Sequence, residues 1–524
     1  MHQTPIDELY KEMMTEYKKE FENKQETYAL KNGMILTDPD DVKIFGMLLD
    51  IKPHCNVNFL WNDIGLGNLF GACFSHIERF CVDNQKWYIY NYGVWEIDKG
   101  DIKSQGNMQK LLQLLHLYCK EVETDDNKDI LKQYSTYINK SSSDSILRRA
   151  LNAAKNSMII NITDFDSDPY LLNCKNGVYD MQRQSFRFAT PEDYFTLTTS
   201  CAFPTALYAD WCDRWYTFVD EITEGNRDKA QFLQRALGYS LLGINKAECM
   251  FIAYGQTRCG KGTLFNSIAK VLGSGSENGY GGTINSSLVC ESKFKDKDYN
   301  APEPMLADTV GVRYLTLSET KSNAVLDETA IKSLTGRDPR KTRQLHSTAF
   351  TFTPQFTIWL STNFLPKVND DSVFKSDRIW VIEFNKHFDE DSRDNNLKEL
   401  FDTKEAQMTI LKWLVDGYHD YVEQGLNPPD CVREATANYA RQNDRTLCFK
   451  EDCLEDAPGE RVSNAAMYAK YKAWCMDEER SYSPLGTTSF YKQMARFYQK
   501  VDSHGFRGFA DVRVKKPEGM LEIK

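Results

Sequence analysis

The stretch Gly255-Gln256-Thr257-Arg258-Cys259-Gly260-Lys261-Gly262-Thr263-Leu264 has residue types and a spacing that suit one kind of chemistry, the gripping of phosphates. Its two outer-loop glycines, Gly255 and Gly260, let backbone N–H groups turn inward and line an anion nest. Met250 to Tyr254 before it reads as a buried strand, and Leu264 to Lys270 after it reads as a helix. The N-terminus of that helix adds partial positive charge. Strand, Gly-x-x-x-x-Gly-Lys and helix together make the loop that wraps a nucleoside triphosphate. Gly255 through Leu264 are therefore the candidate nucleotide contacts, and Lys261 the residue that reaches the β- and γ-phosphates. The hydroxyl residue that ordinarily follows the lysine is absent. Gly262 stands there and Thr263 comes next, which leaves the Mg²⁺ hydroxyl ligand open, with Thr263 the candidate. A chance glycine-rich turn is the competing reading, but it does not call for a strand on one side and a helix on the other.

A loop that cleaves ATP needs an acid on a neighbouring strand. Tyr314, Leu315 and Leu317 suit a central strand, and Glu319 falls at its end, where a carboxylate holds Mg²⁺ through water or orients the attacking water. Ser318 takes the place where a second acid is common, and a surface glutamate at a strand end is the alternative. A second strand, Thr357 to Thr362, leads to Asn363, placed to contact the γ-phosphate or the water. Arg378 opens a third strand, Ile379 to Phe384. It is a candidate arginine finger for a neighbouring subunit, or else a structural salt bridge. From 336 to 346 there are four Lys/Arg against one Asp, a basic turn of the kind that tracks a nucleic-acid strand, though charge runs also occur as solvated faces.

These segments need a scaffold. The chain has 524 residues, 41% apolar and 27% charged, which fits ordinary folded protein of several domains and excludes a collagen-like or wholly disordered chain. Lys plus Arg is 64 and Asp plus Glu is 75, a net charge of −11, so nucleic acid would have to meet a local basic stripe or a lined channel. No 18-residue apolar run exists, and the start, Met1 to Glu8, lacks a basic flank before an apolar run. The expectation is a cytoplasmic protein with no membrane contact. The 14 cysteines are scattered without a Cys-x-x-Cys pair, which favours reduced thiols over a zinc site.

Along the chain, residues 1–60 read as an N-terminal arm or small helical region, with no firm assignment for 31–60. Residues 61–205 read as an α+β domain. There Asn91-Tyr92-Gly93 and Asn176-Gly177 mark hairpins, residues 107–160 look helical, and Ser141 to Asp144 form a turn or helix cap. Residues 206–248 read as a helical collar carrying Trp211, Trp215, Phe218 and Phe232; 249–400 as an α/β nucleotide-binding core; and 401–524 as a helical domain that closes with a β segment, Phe506 to Val514, after a break at Pro428-Pro429.

The ordered set Gly-x-x-x-x-Gly-Lys-Gly-Thr, strand-Ser-Glu, Ile331-Lys332-Ser333-Leu334-Thr335-Gly336-Arg337-Asp338, strand-Ser-Thr-Asn-x-x-Pro and Asp377-Arg378-Ile379 resembles the superfamily 3 helicases of viruses, phages and plasmids. The likeness is to the helicase portion of phage and plasmid primase-helicases and of the poxvirus primase-helicase family. Asp164 to Asp180 and Trp61 to Asp98 resemble that family's preceding domain, so the resemblance covers roughly residues 61–400, with a weaker likeness in a winged-helix tail. It implies a multidomain α/β fold: an AAA+-like P-loop NTPase core, an N-terminal α+β domain and a C-terminal helical and winged-helix domain. It implies ATP hydrolysis with Mg²⁺, a homo-oligomeric ring that is usually hexameric, and translocation along single-stranded DNA at forks or origins. By matching position Lys261, Glu319, Asn363 and Arg378 take catalytic roles, and Thr263 and Glu319 hold the metal. Lys341, Arg343 and His346 fall where the family inserts a loop into the pore. Cys259 departs from the asparagine usual in the family. The short stretch before residue 61 suggests no primase domain, with any primase a separate polypeptide. The expected role is a replicative DNA helicase or initiator of a phage, satellite or plasmid; the alternatives are a P-loop phosphotransferase and a non-enzymatic origin-binding scaffold.

Overall fold

The computed structural model describes residues 27–204, 212–275, 278–291, 304–321, 324–342, 350–369, 372–390, 392–476, 484–503 and 505–515. The expected N-terminal arm up to residue 26, Trp211, Arg343 and His346 lie outside the described residues. Three packed units follow one another along the chain.

In the first, a two-residue strand pair, Tyr28–Ala29 with Ile35–Leu36, precedes α1 (Pro39–Ile51), in the stretch that carried no sequence assignment. Asp38 caps it by accepting from the Asp40 and Asp41 amides at 3.0 and 3.1 Å, and Pro39 sits where a missing N–H costs nothing. α2 (Asp63–Phe74) precedes an antiparallel sheet of β1 (Glu78–Cys81), β2 (Lys86–Asn91) and β3 (Val94–Ile97). α3 (Ile102–Val122), α4 (Lys128–Ser141) and α5 (Asp144–Ala154) complete the helical layer, and β4 (Ile159–Ile160) pairs with β1 in parallel. Phe45, Phe70, Trp87, Leu111, Tyr134 and Leu151 share one core here.

The second unit begins with a three-strand antiparallel meander of β5 (Leu171–Cys174), β6 (Gly177–Asp180) and β7 (Ser185–Arg187), its first turn made by Lys175-Asn176 with Gly177 opening β6 opposite Cys174. The collar region is two helices rather than one run, α6 (Asp213–Ile222) and α7 (Arg227–Tyr239), because Thr223 to Asn226 form a turn and Asn226 caps the second. Next come β8 (Met250–Tyr254), α8 (Lys261–Val271), β9 (Gly281–Ile284), β10 (Tyr314–Leu317), α9 (Glu328–Thr335), a hairpin of β11 (Arg340–Thr342) and β12 (Phe350–Phe352), β13 (Thr357–Thr362) and β14 (Ile379–Glu383). Five of these strands form one parallel sheet in the order β9-β10-β13-β8-β14. Helices cover a parallel sheet on both faces, which is why β8 reads as an unbroken apolar run. α10 (Lys404–Gln424) and α11 (Asp430–Asn443) close the unit. One of its cores runs from Leu172 to Val432, so residues on both sides of positions 205, 248 and 400 pack together.

The last unit is helix, strand, two helices and a hairpin: α12 (Arg445–Cys453), β15 (Leu454–Ser463), α13 (Asn464–Cys475), α14 (Thr487–Met494), β16 (Lys500–Ser503) and β17 (Phe506–Val514). Its antiparallel sheet has the order β15-β17-β16, and its separate core holds Phe449, Tyr471, Phe490 and Phe509. The molecule is thus multidomain α/β. Among the described residues no helix is long and apolar enough to cross a membrane.

Candidate functional site

β8 ends at Tyr254 and the chain turns at once into the glycine loop, where the Gly255 N–H donates to the Thr362 carbonyl at 3.3 Å. Position 255 admits only glycine, because a Cβ there would lie 2.3 Å from the Phe384 carbonyl oxygen. Gly260 holds φ at +87°, and a Cβ would come within 2.4 Å of the Ile222 side chain on α6. Arg258 between them also takes a left-handed φ of 65°. Backbone strain of this kind in a non-glycine residue collects at ligand sites. Phe388 braces the turn by donating its N–H to the Arg258 carbonyl at 2.9 Å.

Lys261 opens α8 and is buried, 5% exposed. Its Nζ donates to the Gly255 carbonyl, to the Gln256 carbonyl at 3.3 Å and to Asn363 Oδ1 at 3.2 Å, and it lies 3.2 Å from Cys259 Sγ. Asn363 Nδ2 in turn donates to Glu319 Oε1 at 3.3 Å. Lysine, asparagine and glutamate thus stand in one hydrogen-bonded line. The sheet order makes this possible: β8, β13 and β10 are parallel neighbours, so their carboxyl ends share an edge. That edge of an open parallel sheet is where α/β proteins place ligands. No carboxylate pairs with Lys261 among the described residues; its ammonium rests on neutral acceptors, weaker partners than an anionic oxygen. Ser318, in the place of a second acid, accepts from the Ser286 N–H at 3.2 Å and so fixes the turn after β9.

Thr263 and Gly260 line a cleft of about 380 Å³ with Arg214 and Phe218 of α6 and with Phe388, Arg393 and Lys398. Arg214 uses Nη2 on Glu221 at 3.1 Å, while its Nη1 is buried without a partner. Against the ring of Phe384, Lys229 places its ammonium 5.8 Å from the centroid, and burial holds that group below the ordinary lysine range. The cleft's walls were not legible as site residues. They come from segments remote in sequence, and their only signal is the mixing of aromatic and basic residues in Arg214 to Phe218 and Lys386 to Phe388.

Three family profiles match in turn. One described as D5 N terminal like covers residues 70–224, a family of unknown function covers 253–378, and Poxvirus D5 protein-like covers 441–522. "Putative helicase L207/L206" of Acanthamoeba polyphaga mimivirus is 25% identical over 357 residues, 62% of this chain and 36% of its own length. "Primase D5" of Fowlpox virus (strain NVSL) is 23% identical over 320 residues, 58% of this chain and 36% of its own. Two of the three matching profiles are D5 profiles, and the chain is similar to the D5-like primase-helicases. It spans about a third of the length of the curated relatives it matches. Among solved structures, the apo form of the NrS-1 C terminal region is similar at a TM-score of 0.42 and 11% identity, over 86% of this chain and 100% of that one.

Other expected site residues of this D5-like chain lie elsewhere. Arg378 is at the opposite edge of the sheet: its carbonyl accepts from Met250 N–H at the start of β8, a strand of about five residues, roughly 16 Å, from the loop. Its guanidinium donates to Glu248 Oε2 and Thr335 Oγ1, both at 2.8 Å, and to the Lys332 carbonyl at 3.3 Å. Within one chain it is therefore a salt-bridged residue that never meets Lys261. Lys341 is exposed on the β11–β12 hairpin, whose strands pair from Arg340↔Phe352 to Thr342↔Phe350.

Proposed function

We propose that this D5-like chain is an ATP-dependent, ring-forming DNA helicase or replication initiator that translocates on single-stranded DNA. The line Lys261–Asn363–Glu319, set beside an anion nest at the carboxyl edge of a parallel sheet, carries the reading. The relatives' names, helicase and primase, support DNA replication as its setting, in a viral or other mobile element. We read the five-strand sheet with its loop as an AAA+-like P-loop core, and the last unit as a winged helix.

The residues present fit a Mg²⁺-bound nucleotide. The loop turns at Arg258 and Gly260, Lys261 rests on neutral acceptors only, and Thr263 and Glu319 offer the hard oxygen ligands that Mg²⁺ prefers. ATP supplies a cleavable phosphoanhydride, and Mg²⁺ the charge that gathers its oxygens. Lys261 exchanges its loop carbonyls for phosphate oxygens, a stronger charge-assisted bond. Glu319 orients the attacking water and receives its proton. Asn363, bonded to both, senses which of them is engaged. The cleft between α6 and Phe388 receives the rest of the nucleotide, with Arg214 Nη1 free to donate. Arg378 enters only as a residue of a neighbouring subunit, and Lys341, Arg343 and His346 as contacts to the strand in the pore.

Strand displacement on a forked duplex tests the reading. The wild-type protein should unwind it with ATP and Mg²⁺, and Lys261→Ala should not. Equal unwinding by both refutes the assignment. ATP turnover stimulated by a small-molecule acceptor but not by single-stranded DNA would point instead to a phosphotransferase.

A further inference from the structure

The loop between α1 and α2 is pinned by hydrogen bonds and still turns apolar side chains to solvent. Asn56 Nδ2 donates to the Ile51 carbonyl at 2.9 Å, and Asn56 Oδ1 accepts from the Asn58 N–H at 3.0 Å. The Phe59 N–H donates to the Asn56 carbonyl at 3.0 Å, and the Asn62 N–H to the Leu60 carbonyl at 2.8 Å. Asn62 then caps α2 by accepting from the Gly65 N–H at 2.9 Å. On this fixed turn Val57 is 83% exposed, Leu60 60%, and Ile64 at the start of α2 64%. Trp61 stands among them, its ring centroid 5.1 Å from that of Tyr134 and 6.2 Å from that of Tyr137, both on α4. Ile130, exposed one helical turn before Tyr134, prolongs the strip along α4. Exposed apolar residues scattered singly are ordinary; a group of them gathered on one braced turn and the helix flank beside it marks a contact surface.

The described structure begins beside this surface. Tyr28 Oη donates to Glu121 Oε1 at 3.4 Å, and the Lys31 N–H to Glu121 Oε2 at 2.9 Å. Glu121 lies about one turn of α3 beyond Tyr118, whose hydroxyl is 2.6 Å from Nδ1 of His54, in the loop that leads to Val57. The sequence before Tyr28 carries a pattern that suits such a face. Ile6, Tyr10, Met13, Tyr17 and Phe21 recur at helical spacing, and with Met14 they fall within an arc of about 100° on a helical wheel. Glu8, Lys11, Glu12, Lys19 and Glu22 fall on the other side. A helix of this length alone in water is marginal, so it needs an apolar face to rest on.

We propose that the segment 6–21 of the same chain seats on this surface as an amphipathic helix, with Tyr10, Met13 and Tyr17 covering Val57, Leu60, Trp61 and Ile64. Aromatic rings pack well against the Trp61 ring, and the unbranched methionines adapt to the irregular turn around it. The tether decides between this occupant and a second copy. Phe21 is joined to Tyr28 by a short link that spans up to about 20 Å when extended. A segment so tethered meets its own chain at an effective concentration on the order of millimolar, which a separate molecule does not match. The first unit thus covers its apolar face with residues that precede it in sequence.

Hydrogen–deuterium exchange of the full chain, read by mass spectrometry without nucleotide or DNA, tests this at two protein concentrations about a hundredfold apart. In the wild type, amides of residues 6–21 should exchange about tenfold or more slowly than those of an unstructured peptide, and equally so at both concentrations. Val57→Asp/Ile64→Asp, which alters only exposed side chains remote in sequence from the segment, should return residues 6–21 to the unstructured rate while α3 keeps its wild-type protection. Glu8→Gln/Glu22→Gln, on the far side of the helical wheel, should leave the protection in place. Unstructured rates over residues 6–21 in the wild type would overturn the proposal, and that measurement needs no variant. Protection that survives Val57→Asp/Ile64→Asp would place the segment elsewhere, and protection lost on dilution would assign the surface to a second copy; either result overturns it. Exchange is read without ATP or DNA, so the outcome does not depend on whether the protein unwinds a duplex.

Discussion

At the carboxyl edge of the central sheet, Lys261 bonds to carbonyls of its own loop, five and six residues away. At the amino edge, Arg313 and Arg378 bond to segments remote in the chain. Arg313, only 2% exposed, donates to the Leu241 carbonyl at 3.0 Å and the Leu171 carbonyl at 2.8 Å and lies 4.6 Å from the Tyr280 ring centroid. Arg378 ties Glu248 to α9. All three are cations beside strands of one sheet, yet their acceptors differ. Lys261, whose acceptors are loop carbonyls and the one remote side chain of Asn363, gives up the loop bonds for a ligand without unfastening distant backbone segments. A cation that staples distant segments cannot leave without loosening the fold. Availability for chemistry is thus set by who supplies the acceptors more than by burial.

The strongest challenge to this contrast is Arg378 acting across a subunit boundary. Arg378→Ala alone should cost roughly 10³-fold in ATP turnover, and mixing its subunits with Lys261→Ala subunits should restore part of it. Full turnover in Arg378→Ala with a lowered melting temperature would make the residue a staple only, and the two edges would differ completely. Arg313→Ala sharpens the contrast from the other side. It strands buried carbonyls, at about 1–3 kcal/mol each, so denaturant titration should show a loss of about 3 kcal/mol. Nucleotide affinity of the folded fraction should be nearly unchanged; a large affinity loss with intact stability would contradict the staple.

How much of this was readable from the chain follows from how local each feature is. β8, α8 and the hairpin turn at Asn176 were legible because a parallel strand, an amphipathic helix and a tight turn are each specified by consecutive residues. Asn363 and Glu319 announced themselves at strand ends and Lys261 at the start of α8, though their hydrogen-bonded line depends on the non-sequential order of β10, β13 and β8. α1 went unassigned although Asp38-Pro39 is a start signal and Ile44, Phe45, Leu48 and Ile51 follow at helical spacing. The partners of Arg378 and the Arg214–Phe388 cleft were hidden because they join residues that only the folded crossovers bring together.

Glu78 on β1 offers a third kind of buried charge, one without a cation. It accepts from Asn107 Nδ2 at 2.5 Å, and burial pushes its carboxyl up to about 8 from 4.5. Below pH 4.5 the group is neutral in the folded and unfolded chain alike. As pH rises toward 8 the unfolded chain ionises first, so the folded state loses stability over that window. Glu78→Gln should therefore melt a few degrees higher than wild type, with a gain that grows from about pH 5 to pH 8 and then levels. A gain independent of pH would mean that shape rather than charge sets the difference. The smallest effect is expected at Gly262, where an added Cβ meets nothing within 4 Å. Gly262→Ser should change ATP turnover by no more than about twofold and stability by less than about 0.5 kcal/mol. A collapse of turnover would show that the loop needs glycine there.

ATP turnover against single-stranded DNA concentration, for wild type and Glu319→Gln side by side, tests the central claim most directly. Wild-type turnover should rise to a plateau as DNA is added, while Glu319→Gln, which keeps the hydrogen-bonding shape but loses the carboxylate, should stay at background throughout. Equal rates in the two proteins would contradict the account.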